Sequence, residues 1–120
     1  MPKSISKLRI ATYKRQQGRC FYCGLPMWLK NADELTAEYG VKASTVVGLQ
    51  CTAEHLVARQ DGGANAADNI VAACKTCNGR RHRKAVPLSP ENHRRRVRAR
   101  ILGGKWHPQA LVQLLHDRAP

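Results

Sequence analysis

Aromatic side chains make up only 5% of this 120-residue sequence, and acidic ones are scarce too, with 8 Asp plus Glu against 21 Lys plus Arg. So few rings leave little platform on which unpaired bases could stack, which argues against a reader of single strands. The shortage of acids leaves a formal net charge of +13. A surplus of that size favours a polyanionic partner, because Lys and Arg neutralise phosphates and release condensed counterions. A generally solubilising surface or a ribosome-associated tail is the competing reading of the same charge. Long apolar runs are absent as well. The stretch MPKSISKLRIATYKRQQG is charged throughout and has no apolar h-region, so neither a signal peptide nor a membrane span is expected. The expected setting is therefore cytoplasmic and reducing. Internal repeats and low-complexity tracts are missing, so no segment reads as a solenoid or as disordered.

What the sequence does have is five cysteines. A chain of this length has room for one domain with a modest core, and such chains often need a metal or disulfides. In a reducing compartment, Cys-x-x-Cys pairs are more often metal ligands or redox centres than structural disulfides. Cys20 and Cys23 form one such pair and Cys74 and Cys77 another. Two knuckles make a tetrahedral four-thiolate site, which suits zinc and is structural because no position is left for water or substrate. A redox role would need a thioredoxin-like βαβ pattern before one pair, and none is present. Cys51 reads as a small buried hydrophobe.

The remaining elements follow from caps and breakers. Ser6 is placed to cap a helix running through Gln17, with Leu8, Ala11 and Arg15 on one side and Gly18 as its left-handed stop. Asn31 and Glu34 have capping-box spacing ahead of Leu35 and Ala37, and Gly40 suits the end of that short helix. Residues 46–56 are rich in Val, Leu and Thr, break at DGGAN and resume at NIVAAC, which predicts two short strands in an antiparallel ribbon. CKTCNGRRHRKA then starts a helix at or near the cysteines, and Pro87 ends that stretch. Ser89, Pro90 and Glu91 open the basic helix ENHRRRVRARIL, which Gly103 and Gly104 stop. A last helix from Pro108 sets Leu111, Leu114 and Leu115 on one face to pack on the domain.

With the cysteines assigned to zinc, the chemistry has to lie elsewhere. Glu54 and His55 sit on the first strand, where neighbours face opposite ways, and Asn78 directly follows the last cysteine. A carboxylate and an amide oxygen are hard ligands suited to a magnesium-like ion. That leaves His55 able to take a proton from water near neutral pH.

The segments CFYCG, EHLVARQDGG, NAADNIVAAC and CKTCNGRR, in this order and spacing, resemble the HNH endonucleases over about residues 18–82. The resemblance implies an α+β chain built on the ββα-metal fold. The three-letter signature maps onto His55, Asn69 and Asn78, the last standing where many members have a second histidine. It implies that His55 activates water, that Glu54 and Asn78 hold a catalytic Mg²⁺ or Mn²⁺, and that Asn69 braces the loop that positions His55, helped by Gly62 and Gly63. Glu54 stands where Asp is more usual, and Ala58 where proline is common.

The activity so implied is hydrolysis of phosphodiester bonds in double-stranded DNA. Arg80 or Arg81 is a candidate contact to the scissile phosphate, with a nonspecific backbone contact as the competing reading. Arg94, Arg95 and Arg98 are candidates for gripping the duplex backbone, or else line a solvated helix face. His82, His93, His107 and His116 receive nothing beyond surface or phosphate contact. The expected division is a nuclease unit over residues 1–86, with an insert at about 26–45, followed by a basic helical extension over 87–120 packed on or flanking it. The alternative function is a non-catalytic, zinc-stabilised nucleic-acid-binding module.

Overall fold

The computed structural model describes residues 4–117. Its elements, in chain order, are α1 (Ile5–Arg15), α2 (Asp33–Tyr39), a 3₁₀ helix (Ala43–Leu49), β1 (Cys51–His55), a 3₁₀ turn (Arg59–Asp61), β2 (Ile70–Cys74), α3 (Lys75–Arg81), α4 (Pro90–Leu102) and α5 (Gln109–Asp117). The two strands pair antiparallel, with Cys51 opposite Cys74 and His55 opposite Ile70. Helix α3 follows β2 without a break. Cys74 is its N-cap, and the Cys74 sulfur accepts the Cys77 N–H, so one residue ends the ribbon and starts the helix. The chain is α+β, as expected, with the ββα unit at its centre.

Helix α1 departs from expectation at both ends. It begins at Ile5, with Ser4 rather than Ser6 at the N-cap and no side-chain cap bond. It stops at Arg15, because Gln17 (φ 56°) and Gly18 (φ 72°) turn the chain in the left-handed region. Leu8 and Thr12 are its buried residues, while Ala11 and Arg15 face solvent. The buried stripe thus steps by four and leads to Gln16. The Gln16 amide donates to the Ala72 carbonyl (2.9 Å) and accepts the Ala72 N–H (2.9 Å), as a neighbouring strand would. On the opposite edge, the Cys51 N–H donates to the Trp28 carbonyl (2.8 Å) and Arg9 donates to the Cys51 carbonyl (3.2 Å). Each net bond is worth about 1 kcal/mol, so the Gln16 and Arg9 contacts seat α1 on the ribbon.

At α2 the assigned helix starts at Asp33, yet the expected capping box forms around it. The Glu34 carboxylate accepts the Asn31 N–H (3.1 Å) along with those of Leu29 and Lys30 (both 2.8 Å), and Asn31 Oδ1 accepts the Asp33 N–H (2.9 Å). Desolvation works against the Glu34 charge, but the three backbone donors hold its carboxyl below the usual value.

The strand expected over residues 46–56 is corrected: the paired strand is Cys51–His55, and Ala43–Leu49 is 3₁₀. Val46 and Leu49, three apart, both turn into the core, and the Trp28 indole donates to the Val46 carbonyl (2.8 Å). Thr76 Oγ1 lies where a Cβ on Gly48 would sit. Tertiary contacts outweigh the β-propensity of the run.

The core joins Tyr22, Leu25, Met27, Val46 and Leu49 to Ala72 and Ala73 of β2 and to Val97, Leu111 and Leu115 of α4 and α5. Burying a large apolar side chain is worth about 1.5–3 kcal/mol. The last two helices therefore share one core with the ribbon. At α4, Ser89 Oγ accepts the Asn92 N–H and Pro90 occupies the first turn, while Gly103 and Gly104 end the helix.

Candidate active site and metal centre

Cys20, Cys23, Cys74 and Cys77 converge, with their sulfurs all within 4.8 Å of one another and every residue buried. Zinc at about 2.3 Å from four thiolates sets them about 3.8 Å apart, and Cys23 and Cys74 are 3.9 Å apart. Backbone N–H groups of Tyr22 and Cys74 point at Cys20 Sγ (3.4 and 3.2 Å), and the Trp106 indole N–H points at Cys77 Sγ (3.2 Å). Donors aimed at sulfur favour thiolate. Hydrogen bonds from Cys20, Cys23 and Cys77 hold the Cys74 thiol well below its ordinary value, and the same group of contacts pushes Cys23 well above it. Four thiols this close cannot all ionise without a cation, which is the condition a divalent metal meets. Cys51 is not part of the cluster. It is buried at the start of β1, and burial pushes its thiol up to about 11.

Beyond the cysteines, an open cavity of about 490 Å³ is lined by Glu54, His55, Arg59, Asn78, His82 and Lys84, among others. Glu54 is only 1% exposed. Its Oε2 accepts from the Tyr22 hydroxyl (2.9 Å) and from Arg81 (3.1 Å), while Oε1 lies 2.9 Å from His82 Nε2. Burial, reinforced by the Glu54 charge, pushes the Tyr22 phenol up, so it remains a donor. One carboxylate oxygen is thus fixed by the protein interior and the other faces His82.

Asn78 is oriented by the same kind of hydrogen-bond logic. Thr52 uses its hydroxyl proton on the Ala73 carbonyl (2.6 Å) and so accepts from Asn78 Nδ2 (3.0 Å). That leaves Asn78 Oδ1 without this partner and available as an acceptor. Two cis ligands of an octahedral ion at about 2.1 Å are about 3.0 Å apart, which matches the Glu54 to His82 spacing. A carboxylate, an amide oxygen and an imidazole are donor types that a divalent ion can take, and the Glu54–His82 pair has the spacing of both a hydrogen bond and two such ligands.

Asn69 closes the loop between the strands. Its Oδ1 accepts the Val57 N–H (2.8 Å), and its Nδ2 donates to the Val57 and Ala64 carbonyls (3.0 and 3.1 Å). Gly62 is left-handed (φ 90°), and a Cβ on Gly63 would collide with the Val57 carbonyl. Any larger residue at Gly63 would therefore displace the Val57–Ala58 backbone of this loop.

Of the arginines expected to meet phosphate, Arg81 is corrected and the others are placed as follows. Arg81 is 7% exposed, and its guanidinium donates to Glu54, to the His55 and Leu56 carbonyls and to the Leu88 carbonyl. It is engaged inside the protein rather than offered to a phosphate, and losing it would strand a buried carboxylate at a cost of about 3–5 kcal/mol. Arg80 lies over the Trp106 ring (4.6 Å) and donates to the Trp106 carbonyl. Arg98 donates to the Tyr22 carbonyl (2.7 Å), and Arg94 sits over the Phe21 ring (5.1 Å). Arg94 and Arg98 thereby dock α4 on the first zinc knuckle. Among the described residues Arg95 reaches only Asn92, at 3.4 Å.

Three histidines do more than the surface contact expected of them, although His82 stays exposed. His82 faces Glu54 across the cavity. His93 is buried between Tyr22 and Trp106 and donates to the Cys77 carbonyl (3.0 Å), and burial lowers its pKa. His107 is buried as well. The side chain of His116 and residues 118–120 lie outside the described part. His82 carries a signal in the sequence: it follows Asn78 by four, so on a continuing helix both share one face.

No helix among the described residues is long and apolar enough to cross a membrane. No curated protein and no solved structure matches the chain. The sequence model of the HNH endonucleases matches residues 20–84, more than half of the length and all of the geometry above except α1, α4 and α5. The chain belongs to the HNH endonuclease family.

Proposed function

We propose that the protein is a divalent-metal-dependent endonuclease that hydrolyses phosphodiester bonds in double-stranded DNA. The observation that carries this reading is the meeting, in one open cavity, of a histidine with three ligand-type side chains, Glu54, Asn78 and His82. Glu54 Oε1, Asn78 Oδ1 and His82 Nε2 would hold the ion. When bound, it supplies positive charge to the phosphate as negative charge builds on it and on the departing oxygen. His55 takes a proton from water as the water oxygen attacks phosphorus, and the bond to the departing oxygen breaks. Asn69 braces the loop beside His55. An imidazole among oxygen ligands favours Mn²⁺ over Mg²⁺. The four cysteines hold a structural Zn²⁺.

The test is supercoiled plasmid incubated with zinc-loaded protein. Relaxed or linear product is expected with added Mn²⁺ or Mg²⁺ and none without, at unchanged zinc content. Tight DNA binding with no cleavage under any divalent ion would identify the non-catalytic binding module instead.

The duplex backbone is proposed to continue from the cavity across Lys84. This residue also lines an adjacent hollow with Arg80, Arg83 and Arg96, and no acidic residue lines that hollow. Because Arg94 and Arg98 dock α4, the informative change is Arg95, Arg96 and Arg100 to Gln. Binding should weaken about equally for unrelated sequences, and the salt slope should fall by roughly 0.9 for each phosphate that is no longer neutralised. An unchanged slope returns this face of α4 to solvent.

A further inference from the structure

An imidazole has two nitrogens, and a general base must present the one without a proton. His55 Nε2 lies 2.8 Å from Asn65 Oδ1. Taken alone, that contact does not fix the proton, because an amide can be turned end for end and a neutral imidazole can donate or accept. Arg59 decides it. Its NH2 lies 3.3 Å from the same Asn65 atom, and a guanidinium has donors only. The atom that faces both is therefore the amide oxygen, which can only accept. Nε2 must then carry the hydrogen, and the lone pair is left on Nδ1.

We infer that Asn65, itself held by Arg59, is a positioning residue that locks His55 in the Nε2–H tautomer and so makes Nδ1 the base. Asn65 is half-buried and stands outside the cavity lining to which His55 and Arg59 belong, so it acts on His55 and not on substrate. The neighbouring peptide is fixed too: Asn69 Nδ2 holds the Ala64 carbonyl (3.1 Å), one residue before Asn65. The brace on the loop thus ends on the ring of the base. The catalytic part of this inference rests on the proposed nuclease reading, whereas the tautomer does not.

The test uses the full zinc-loaded chain with Asn65→Ala and Asn65→Asp, and with His55→Ala alongside. Nitrogen-15 spectra of the wild-type ring should show a protonated-type Nε2 and a lone-pair-type Nδ1, averaging toward a mixture in Asn65→Ala. Cleavage turnover by Asn65→Ala should fall about 10- to 100-fold, the range typical when a histidine is deprived of the partner that orients it, with the KM for DNA unchanged. Asn65→Asp keeps an acceptor for both Nε2–H and Arg59, so it should retain the tautomer and restore most of the turnover. An unshifted ring spectrum in Asn65→Ala, or full turnover by that variant where His55→Ala is dead, overturns the inference. Wild-type cleavage by His55→Ala would instead sink the nuclease reading through His55, while the ring spectra still report whether Asn65 sets the tautomer.

Discussion

Replacing His55 with alanine is expected to reduce plasmid cleavage by about 10²- to 10⁴-fold, the range that general-base help usually supplies. Everything else should stay in place. His55 is half-buried at the end of β1 and takes no part in the cysteine cluster. Its backbone carbonyl, which accepts from Arg81 (3.2 Å), survives the substitution. Zinc content, melting temperature and affinity for duplex should therefore match the wild type, and single-turnover cleavage should carry the whole loss. Glu54→Ala is a poorer probe, because it also strips Tyr22 and Arg81 of a shared buried partner. If His55→Ala cuts at the wild-type rate, His55 is not the base.

Replacing Cys74 with serine should largely unfold the chain. Cys74 has no exposed surface, closes the β1–β2 ladder opposite Cys51, caps α3 and contributes one of the four sulfurs. The core around it is small, and the binding energy of a structural zinc is folding energy, on the order of 10–16 kcal/mol in small zinc modules. Metal analysis should give one zinc per wild-type chain and much less for the variant, with loss of helical circular dichroism. Helices α4 and α5 should loosen with it, since Trp106 donates to Cys77 and His93 to the Cys77 carbonyl. A well-folded, zinc-free sample of the wild type would end the four-cysteine assignment.

The metal centre is legible in the sequence because a knuckle is local: two residues between cysteines define it wherever the chain later goes. The same is true of the Asn31 and Glu34 box and of the Ser89 cap, whose partners lie within three residues. What escapes a linear reading is decided at long range. The run at 46–49 satisfies strand propensity and is 3₁₀ where Trp28 and Thr76 arrive from elsewhere. Arg81 looks like a phosphate ligand until Glu54, 27 residues away, claims it inside the protein. His93 sits in a helix crowded with arginines, and only the packing of Tyr22 and Trp106 on either side shows that it is a core residue. Asn65 has the composition of any turn beside glycines, and its partner lies across the loop.

The amide of Gln16 has a consequence beyond seating α1. A ribbon of two strands offers two open rims to any passing chain, and IVAAC is a sticky sequence to leave uncovered. Here Gln16 answers both outward groups of Ala72 on one rim, joined at the carbonyl by the Phe21 N–H (2.9 Å), while Trp28 and Arg9 occupy Cys51 on the other. One glutamine side chain thus takes the place a third strand would fill, and a neighbouring molecule seeking to pair there must first evict it. The cap residue of the first helix thus guards the ribbon rim, a protection against strand pairing that charge alone does not give.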